Sequence, residues 1–310
     1  MKKIFFTALI TLLTFLDGQA QQDPHYTQYM YNMNVINPAY AGSKENLSFG
    51  LLFRKQWVDI QDSPTTFTAT GHSPIGKNLG VGLSIISDRV GPVDEKNVFA
   101  DISYTLNLGN DRKLAFGLKT GASFLDIGLL SEVSPTLQDQ FDPAFLENVN
   151  RTNFNLGSGV FYYTNKYYIA LSVPNILRSK HFNKIVRSDG IKYGSETSHY
   201  FLTGGYVFDL SPNTKFKPFA MLKSAFNAPT SIDVSTNFLF YDKLELGATY
   251  RLQDSFGALV NFKITDDLRI GYAYDRIVSE IRTSSPSSHE FILLFDLNLS
   301  KKVSSSPRYF

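Results

Sequence analysis

Apolar and polar residues alternate with a period of two along most of this chain from Leu47 onward. The alternation is clear in residues 47–54, 113–119, 231–240 and 243–250, where Leu, Phe, Val and Ile exchange places with mostly small, polar or charged residues. Successive side chains on a β-strand point to opposite faces, so each set lies on one face of a sheet. The pattern predicts strands with one apolar face and one polar face.

About 14 such segments follow one another, each close to the 9–11 residues that a tilted membrane strand needs. We predict them at 47–57, 65–74, 79–88, 97–108, 113–125, 152–163, 166–176, 197–210, 215–225, 230–240, 243–251, 255–265, 268–275 and 289–298. Short links alternate with a set that includes the long links near 126–151, 177–196 and 276–288. An even strand number with short turns at one end and longer loops at the other is typical of outer-membrane barrels.

The composition narrows the classes of protein to which the chain could belong. The chain has 17 Tyr, 26 Phe and one Trp, with 43% hydrophobic residues. A soluble secreted β-protein remains the alternative, but outward Leu, Phe, Val and Ile need a non-aqueous partner, which lipid supplies. The chain has no Cys, so disulfides and Cys-based zinc sites are excluded. A formal net charge of +2 gives no sign of nucleic-acid binding.

The first twenty residues have the pattern of an export signal. A basic Met1-Lys2-Lys3 precedes an apolar run from Ile4 to Leu16, and Gly18-Gln19-Ala20 offers a small-x-small cleavage site. A transmembrane helix is the alternative, but the run is shorter than the roughly 20 residues that a span requires. We predict a signal peptide at 1–20, a plug-like segment at 21–46, a barrel at 47–298 and a periplasmic tail at 299–310.

The stretch that follows the signal is polar and aromatic at once. Residues 22–32 and 37–42 combine four Tyr, which need a surface, with Gln and Asn, which need hydrogen-bond partners. The wall of a polar-lined cavity supplies both. The predicted fold class is therefore all-β: a transmembrane antiparallel β-barrel of about 14 strands with an N-terminal segment in or near the lumen.

The same stretch carries a family resemblance. Together with motifs further along, it resembles the PorP/SprF family of outer-membrane proteins of the type IX secretion system. The motifs are Gln22-Asp23-Pro24-His25-Tyr26-Thr27-Gln28-Tyr29-Met30-Tyr31-Asn32, Asn37-Pro38-Ala39-Tyr40-Ala41-Gly42, Gln56-Trp57, Ser63-Pro64-Thr65, Leu79-Gly80-Val81-Gly82-Leu83-Ser84 with Asp88, Pro174-Asn175, His289-Glu290 and Pro307-Arg308-Tyr309-Phe310. Asp62-Ser63 departs from an expected Gly-Ala pair, and Ser287-Ser288 from an expected Gly-Ser pair.

The resemblance implies an outer-membrane accessory barrel that assists secretion or surface attachment of one secreted partner, such as an adhesin, with a link to gliding motility. Its partners would be that adhesin-like protein, type IX secretion components and outer-membrane lipid. The family motif supplies the expected plug residues Asp23, Pro24, Gln28, Tyr29, Asn37, Pro38, Tyr40 and Gly42. Loop residues Phe141, Phe145, Leu146, Ile176, Leu177 and Phe182 are the candidate docking patch, with plain loop packing as the alternative. Pro307, Arg308, Tyr309 and Phe310 form a C-terminal motif that would contact the secretion machinery or serve barrel assembly.

A rival function is a channel for a small hydrophobic solute. Barrels that resemble the long-chain fatty-acid transporter also have about 14 strands, a lumenal plug and an Asn-Pro-Ala element like residues 37–39.

Two expectations concern the inward face. Asp101, Asp233 and Glu245 either pair with Lys119, Lys263 or the N-terminal segment, or they are solvated wall residues, the reading that the sequence favours. Residues 157–159 are assigned to strand packing.

Other chemistry finds little support in the sequence. The five His are scattered, the loop acids Asp139, Asp142 and Glu147 do not match an EF-hand, and no nucleophile elbow is present. His289 and Glu290 are adjacent on a strand and so face opposite ways. We predict no enzyme activity, no metal site and no cofactor.

Overall fold

A computed structural model describes residues 25–44, 46–128, 148–177, 198–225, 228–279 and 287–297. Fifteen strand segments lie in these stretches. They are β1 (Leu47–Lys55), β2 (Thr65–Ile75), β3 (Leu79–Val90), β4 (Val93–Gly109), β5 (Arg112–Ile127), β6 (Val149–Tyr163), β7 (Tyr167–Val173), β8 (His199–Tyr206), β9 (Phe208–Ser211), β10 (Thr214–Ala225), β11 (Ala228–Phe240), β12 (Leu244–Arg251), β13 (Ser255–Lys263), β14 (Leu268–Ile277) and β15 (Ser287–Leu297).

The sheet closes on itself. Apart from β8 and β9, strands that are neighbours in the sequence pair antiparallel. β10 pairs with β8, β9 and β11, and β1 pairs with β15. β8 and β9 are two halves of one wall strand that is interrupted at Val207, and both pair with β10. The wall therefore has 14 strands. This confirms the predicted antiparallel barrel and its strand number.

The two faces of the wall have opposite chemistry. On β1, Phe49, Leu51 and Phe53 are 42–44% exposed on the outside, whereas Ser48 and Arg54 are 4% and 1% exposed. The same alternation recurs along the other strands, for example on β5 and β10. An apolar outer face and a closed hydrogen-bond ladder are the two features that a strand needs to cross a bilayer. None of the described helices has the length and apolarity to cross one.

Aromatic side chains mark both ends of the outer face. A run of neighbouring rings follows the end where β6 meets β7 and β9 meets β10, with centroid separations of 4.3–6.0 Å: Tyr162, Tyr167, Tyr206, Phe208, Phe216 and Phe238. At the other end Tyr250 packs on Phe256 at 4.5 Å, and Tyr272 packs on Phe291 at 4.9 Å. Aromatic girdles at both interfaces are a feature of membrane barrels.

The two ends of the barrel differ in their connections. At the end that we call the turn end, the links are short: 76–78, 110–111, 164–166, 212–213, 241–243 and 264–267. The opposite loop end carries the links 56–64, 91–92, 128–148, 174–198, 226–227, 252–254 and 278–286. The chain enters the wall at the turn end, which the sequence predicts to be periplasmic.

The wall is uneven at the loop end. β4, β5 and β6 have 17, 16 and 15 residues, whereas β1 and β13 have 9 each. The sequence places β3 at 79–88 and β4 at 97–108, and it is wrong about the link between them. β3 continues to Val90, β4 begins at Val93, and only two residues, 91–92, join them.

The N-terminal segment lies inside the lumen, as predicted. Three short helical turns, Tyr29–Tyr31, Met33–Ile36 and Pro38–Tyr40, carry it from the loop end to the start of β1. Its side chains are almost entirely buried. We call residues 25–44 the plug.

Candidate functional site

The plug and the wall side chains that hold it form the most elaborate polar arrangement of the described residues. Its charges sit on strands whose successive side chains face the lumen and the outside in turn. The barrel fold then brings together groups that are far apart in sequence.

The outer anchor of the plug is a carboxylate that binds peptide groups. Glu290 on β15 accepts the backbone N–H groups of Thr27 and Gln28, both at 2.8 Å. Arg54 on β1 donates to the same carboxylate at 3.0 Å and to Asp275 at 2.8 Å. The Thr27 hydroxyl donates to Asp275 at 2.5 Å and accepts from Arg54 at 2.8 Å. All these charged groups are at least 97% buried, so every ionic atom depends on its protein partners.

A second anchor holds the middle of the plug against β4 and β5. Lys119 pairs with Asp101 at 3.0 Å and donates to the backbone oxygen of Asn34 at 3.2 Å. The Asn34 amide donates in turn to Asp101 at 3.2 Å. Of the two readings of the inward acids, the less favoured one, in which they pair with Lys119, Lys263 or the N-terminal segment, describes Asp101 correctly.

A third anchor lies near the turn end. Glu245 on β12 pairs with Lys217 at 3.1 Å and with Arg269 at 3.2 Å. It also accepts the Asn237 amide at 2.8 Å and the hydroxyl of Tyr31. The Lys217 ammonium lies 5.2 Å from the centroid of the Tyr31 ring, so the plug tyrosine contacts both members of the ion pair.

Asp233, the last of the three acids considered in the sequence, has a partner that the sequence analysis did not name. Asp233 pairs with Arg251 at 3.0 Å, and Arg251 donates to the backbone oxygen of Tyr26 at 3.4 Å. Lys263, by contrast, pairs at 2.9 Å with exposed Asp266 in a turn. Since Asp101, Asp233 and Glu245 are all at most 4% exposed, the reading of solvated wall residues is wrong.

The plug is also tied down where it joins the wall. Lys44 pairs with Asp296 at 3.3 Å, and Ser48 donates to Asp296 at 2.5 Å. The backbone N–H of Gly42 donates to His72 at 3.3 Å. Gly42 has φ of +68°, a left-handed conformation that glycine adopts without strain.

The Asn-Pro-Ala turn of the plug packs on glycines of the wall. Asn37 caps the turn by accepting the Ala39 N–H at 2.9 Å, and it donates to a backbone oxygen of β6 at 3.1 Å. A Cβ at Gly117 would collide with the backbone of Ala39, and one at Gly159 would collide with the Asn37 side chain. Residues 157–159 therefore do more than pack strands, because Gly159 makes room for the plug.

The remaining family-motif residues take several positions. Pro38 begins the third helical turn, and the Tyr40 ring lies edge-on to His72 and to Phe161 at 5.2 and 5.4 Å. Gln28 and Tyr29 are fully buried, but no described residue hydrogen-bonds to the Gln28 side-chain amide or the Tyr29 hydroxyl. The Gln28 contact with the wall goes through its backbone. Asp23 and Pro24 lie outside the described residues.

Few of the other predicted site residues can be placed. Ile176 and Leu177 lie three and four residues after the end of β7, and their side chains are 45% and 44% exposed. Phe141, Phe145, Leu146, Phe182 and the C-terminal motif 307–310 lie outside the described residues, as do Asp139, Asp142 and Glu147. His289 faces outward beside Tyr272 while Glu290 faces the lumen. No group of His and acidic residues suited to a metal ion occurs in the described part of the chain.

Sequence reasoning missed Arg54, Lys217, Arg269 and Asp275 as plug or anchor contacts. Arg54 and Lys217 carry a signal that could have found them, since each is a charged residue on the inward phase of an alternating strand. Their partners depend on strand pairing across the barrel and have no local signal.

Comparisons with known proteins agree with this architecture. The family model described as type IX secretion system membrane protein PorP/SprF matches residues 18–295. No curated protein matches the chain. Similar solved structures include the Acinetobacter baumannii outer membrane protein Omp33 (11% identity, 82% of this chain and 99% of that chain, TM-score 0.46), a Pseudomonas aeruginosa FadL homologue (12%, 91% and 96%, 0.46) and the CymD monoaromatic hydrocarbon channel (10%, 86% and 91%, 0.48). At these identities and TM-scores, the likenesses carry no conclusion about the function of this chain.

Proposed function

Because this chain belongs to the PorP/SprF family of type IX secretion system membrane proteins, we propose that it is a sealed outer-membrane barrel that assists secretion or surface attachment of one specific secreted partner. An adhesin-like surface protein is the class of partner that the family resemblance implies. On this proposal the barrel acts as a scaffold that presents its loop end, and its lumen carries no solute.

The filled lumen is the observation that supports this proposal. The plug crosses the lumen and contacts Glu290, Lys119 and Glu245, which lie on widely separated strands of the wall. Its residues Met30, Met33 and Ala39 are at most 1% exposed. A solute could pass only if these contacts were broken together.

The chemistry of the lumen also argues against the rival function. A channel for a hydrophobic solute needs an apolar path, but the lumen wall carries buried ion pairs such as Arg54–Glu290, Lys119–Asp101 and Lys217–Glu245. An apolar solute that displaced the plug would offer no hydrogen-bond partner in place of the plug groups that these charges contact, which is energetically unfavourable. The sealed scaffold is therefore the better reading.

The docking surface that we propose lies at the loop end. Two hydrogen bonds to β6 fix this part of the link after β7. The Ile176 N–H donates to the backbone oxygen of Leu156 at 2.7 Å, and the Leu177 N–H donates to the Asn155 side chain at 3.3 Å. Both apolar side chains remain exposed, as a partner-binding position requires. The C-terminal motif 307–310 would contact the secretion machinery from the periplasmic side.

Two measurements test the proposal together. Deletion of the gene should reduce secretion or surface retention of the partner, and complementation with Ile176→Ser/Leu177→Ser should restore less than the wild type does. Ile75→Ser, an equally simple change at an exposed apolar residue (54%) of the turn end, serves as the control. In planar bilayers the wild type should not conduct, whereas a variant that lacks residues 25–44 should. Solute uptake by the wild-type barrel, with unaffected secretion in the deletion strain, would favour the channel.

A further inference from the structure

The outer face of the barrel carries an apolar groove where β13 to β15 meet β1 and β2. Leu51 and Phe53 of β1 form one side, and Phe262, Phe291 and Leu293 form much of the other. These side chains are 39–51% exposed. The groove lies on the outer face and extends across five neighbouring strands, with two outward positions on each of β13, β14, β15 and β1.

Two cations and a histidine lie on the same outer face, immediately beyond the groove. Lys55 and His289 are directly opposite each other in the β1–β15 ladder, one outward position past Phe53 and Phe291. Arg276 lies one outward position past Tyr274, which is the partner of His289 on β14. Neighbouring strands are about 5 Å apart, and successive outward positions on one strand are about 7 Å apart. Lys55, His289 and Arg276 therefore lie close together on three adjacent strands.

The arrangement leaves positive charge available to a ligand. Arg276 is exposed and forms no ion pair with the described residues. The Lys55 ammonium is held by the Ser63 carbonyl and the Thr65 hydroxyl, both at 2.9 Å, and neither of these neutral groups cancels its charge. The acids of the same strands, Asp275 and Glu290, face the lumen and pair there with Arg54.

Tyrosine rings lie beside His289 and between Arg276 and the groove. The Tyr272 hydroxyl and the His289 ring nitrogen lie 2.7 Å apart, and the Tyr272 ring packs on Phe291 at 4.9 Å. Tyr274 lies edge-on to His289 at 5.4 Å. Along β14 the order is thus cation, amphipathic ring, apolar groove, which is the order of phosphate, interface and acyl chain in an anionic lipid.

We propose that this face binds a phosphate-bearing lipid of the outer leaflet. Lys55, Arg276 and His289 contact its phosphates, and one acyl chain lies in the groove beside Leu51 and Phe53. From Lys55 to Leu51 the strand advances about 13 Å, enough to accommodate much of an acyl chain. The site lies on the opposite side of the wall from the plug and requires no movement of it.

The test measures lipid retained by the full-length barrel in native mass spectrometry, with bis-phosphorylated lipid A as the probe. Wild type should retain this lipid in preference to the same lipid without phosphates. Lys55→Gln/Arg276→Gln should weaken retention about thirtyfold, from roughly 1 kcal/mol for each basic residue at a membrane surface. Arg112→Gln, an exposed cation at the turn end, is the matched control and should have no effect.

A second pair of variants tests the groove and does not alter charge. Leu51→Trp should fill the groove and reduce retention, whereas Ile85→Trp, on an outward residue of equal exposure (43%) outside the groove, should not. Equal retention of both forms of the lipid would overturn the proposal. It would also be overturned if folded Lys55→Gln/Arg276→Gln retained lipid as the wild type does, or if Arg112→Gln lost it equally.

Discussion

Replacing Glu290 with Gln is the sharpest test of how the plug is held. The carboxylate accepts two backbone N–H groups and the Arg54 guanidinium at 2.8–3.0 Å, and it is fully buried. Gln has one acceptor oxygen in its place, and its amide hydrogens would face other donors. Loss of one partner of a buried ion pair costs about 3–5 kcal/mol. In the detached state water hydrates Arg54, so the loss falls on the plugged state.

The absence of Cys from the chain makes detachment measurable. Gln28→Cys places a single thiol at a fully buried position whose side-chain amide has no partner among the described residues. A membrane-impermeant maleimide should label it only while the outer part of the plug is detached. At 1.36 kcal/mol per tenfold change, adding Glu290→Gln should raise the labelling rate roughly a hundredfold to several thousandfold.

The control is Asp111→Asn, which removes a carboxylate from an exposed turn at the other end. It should leave the labelling rate unchanged. If Glu290→Gln labelled no faster than the Gln28→Cys parent while remaining folded, the carboxylate would not be the anchor that the geometry indicates.

Three further predictions concern other parts of the same assembly. Gly117→Ala should destabilise the barrel by about 1–3 kcal/mol because the added methyl group overpacks against the plug. Gly204→Ala, whose added methyl group would have its nearest neighbour 3.5 Å away, should not. The two variants are compared by unfolding in denaturant, with SDS mobility as the readout. Lys119→Met should cost about 3–5 kcal/mol because it leaves Asp101 buried without its cation, and Lys119→Met/Asp101→Leu should recover part of this in the same assay. Burial, together with the surrounding cations, lowers the pKa of His25 well below 6.5, so the detached plug takes up a proton that the docked plug does not. Docking should therefore weaken as the pH falls from 7.5 to 5.5, and labelling of the Gln28→Cys thiol measures this weakening. The effect of pH on docking should be smaller when His25→Asn is added.

The outer face of the wall could be predicted from the sequence because lipid imposes one rule on every wall strand: each outward position must be apolar. Phe49, Leu51 and Phe53 show that rule directly. The rule fails beyond the bilayer, where strands face water on both sides. Residues 93–96 belong to β4, but the sequence does not predict them as strand, since Asp94, Glu95 and Lys96 interrupt the alternation.

Only some of the contacts inside the lumen could be predicted from the sequence. Asp101 and Lys119 were visible as inward charges, and they are direct neighbours across the β4–β5 hairpin. Arg54 and Glu290 are 236 residues apart and become neighbours only when the first and last strands pair. Local periodicity carries no information about that pairing, so the outer anchor was out of reach of the sequence alone.

The position of this anchor also bears on how the barrel closes. In the β1–β15 seam, Arg54 is directly opposite Glu290, and the plug residues Thr27 and Gln28 bridge the two strands from inside. A slip of β15 by one residue would exchange its inward and outward faces and carry the Glu290 carboxylate into lipid. A charge on the lipid face costs up to a few kcal/mol, in addition to the lost ion pair. The plug and the closing register therefore stabilise each other: a docked plug favours the correct seam, and the correct seam completes the site that holds the plug.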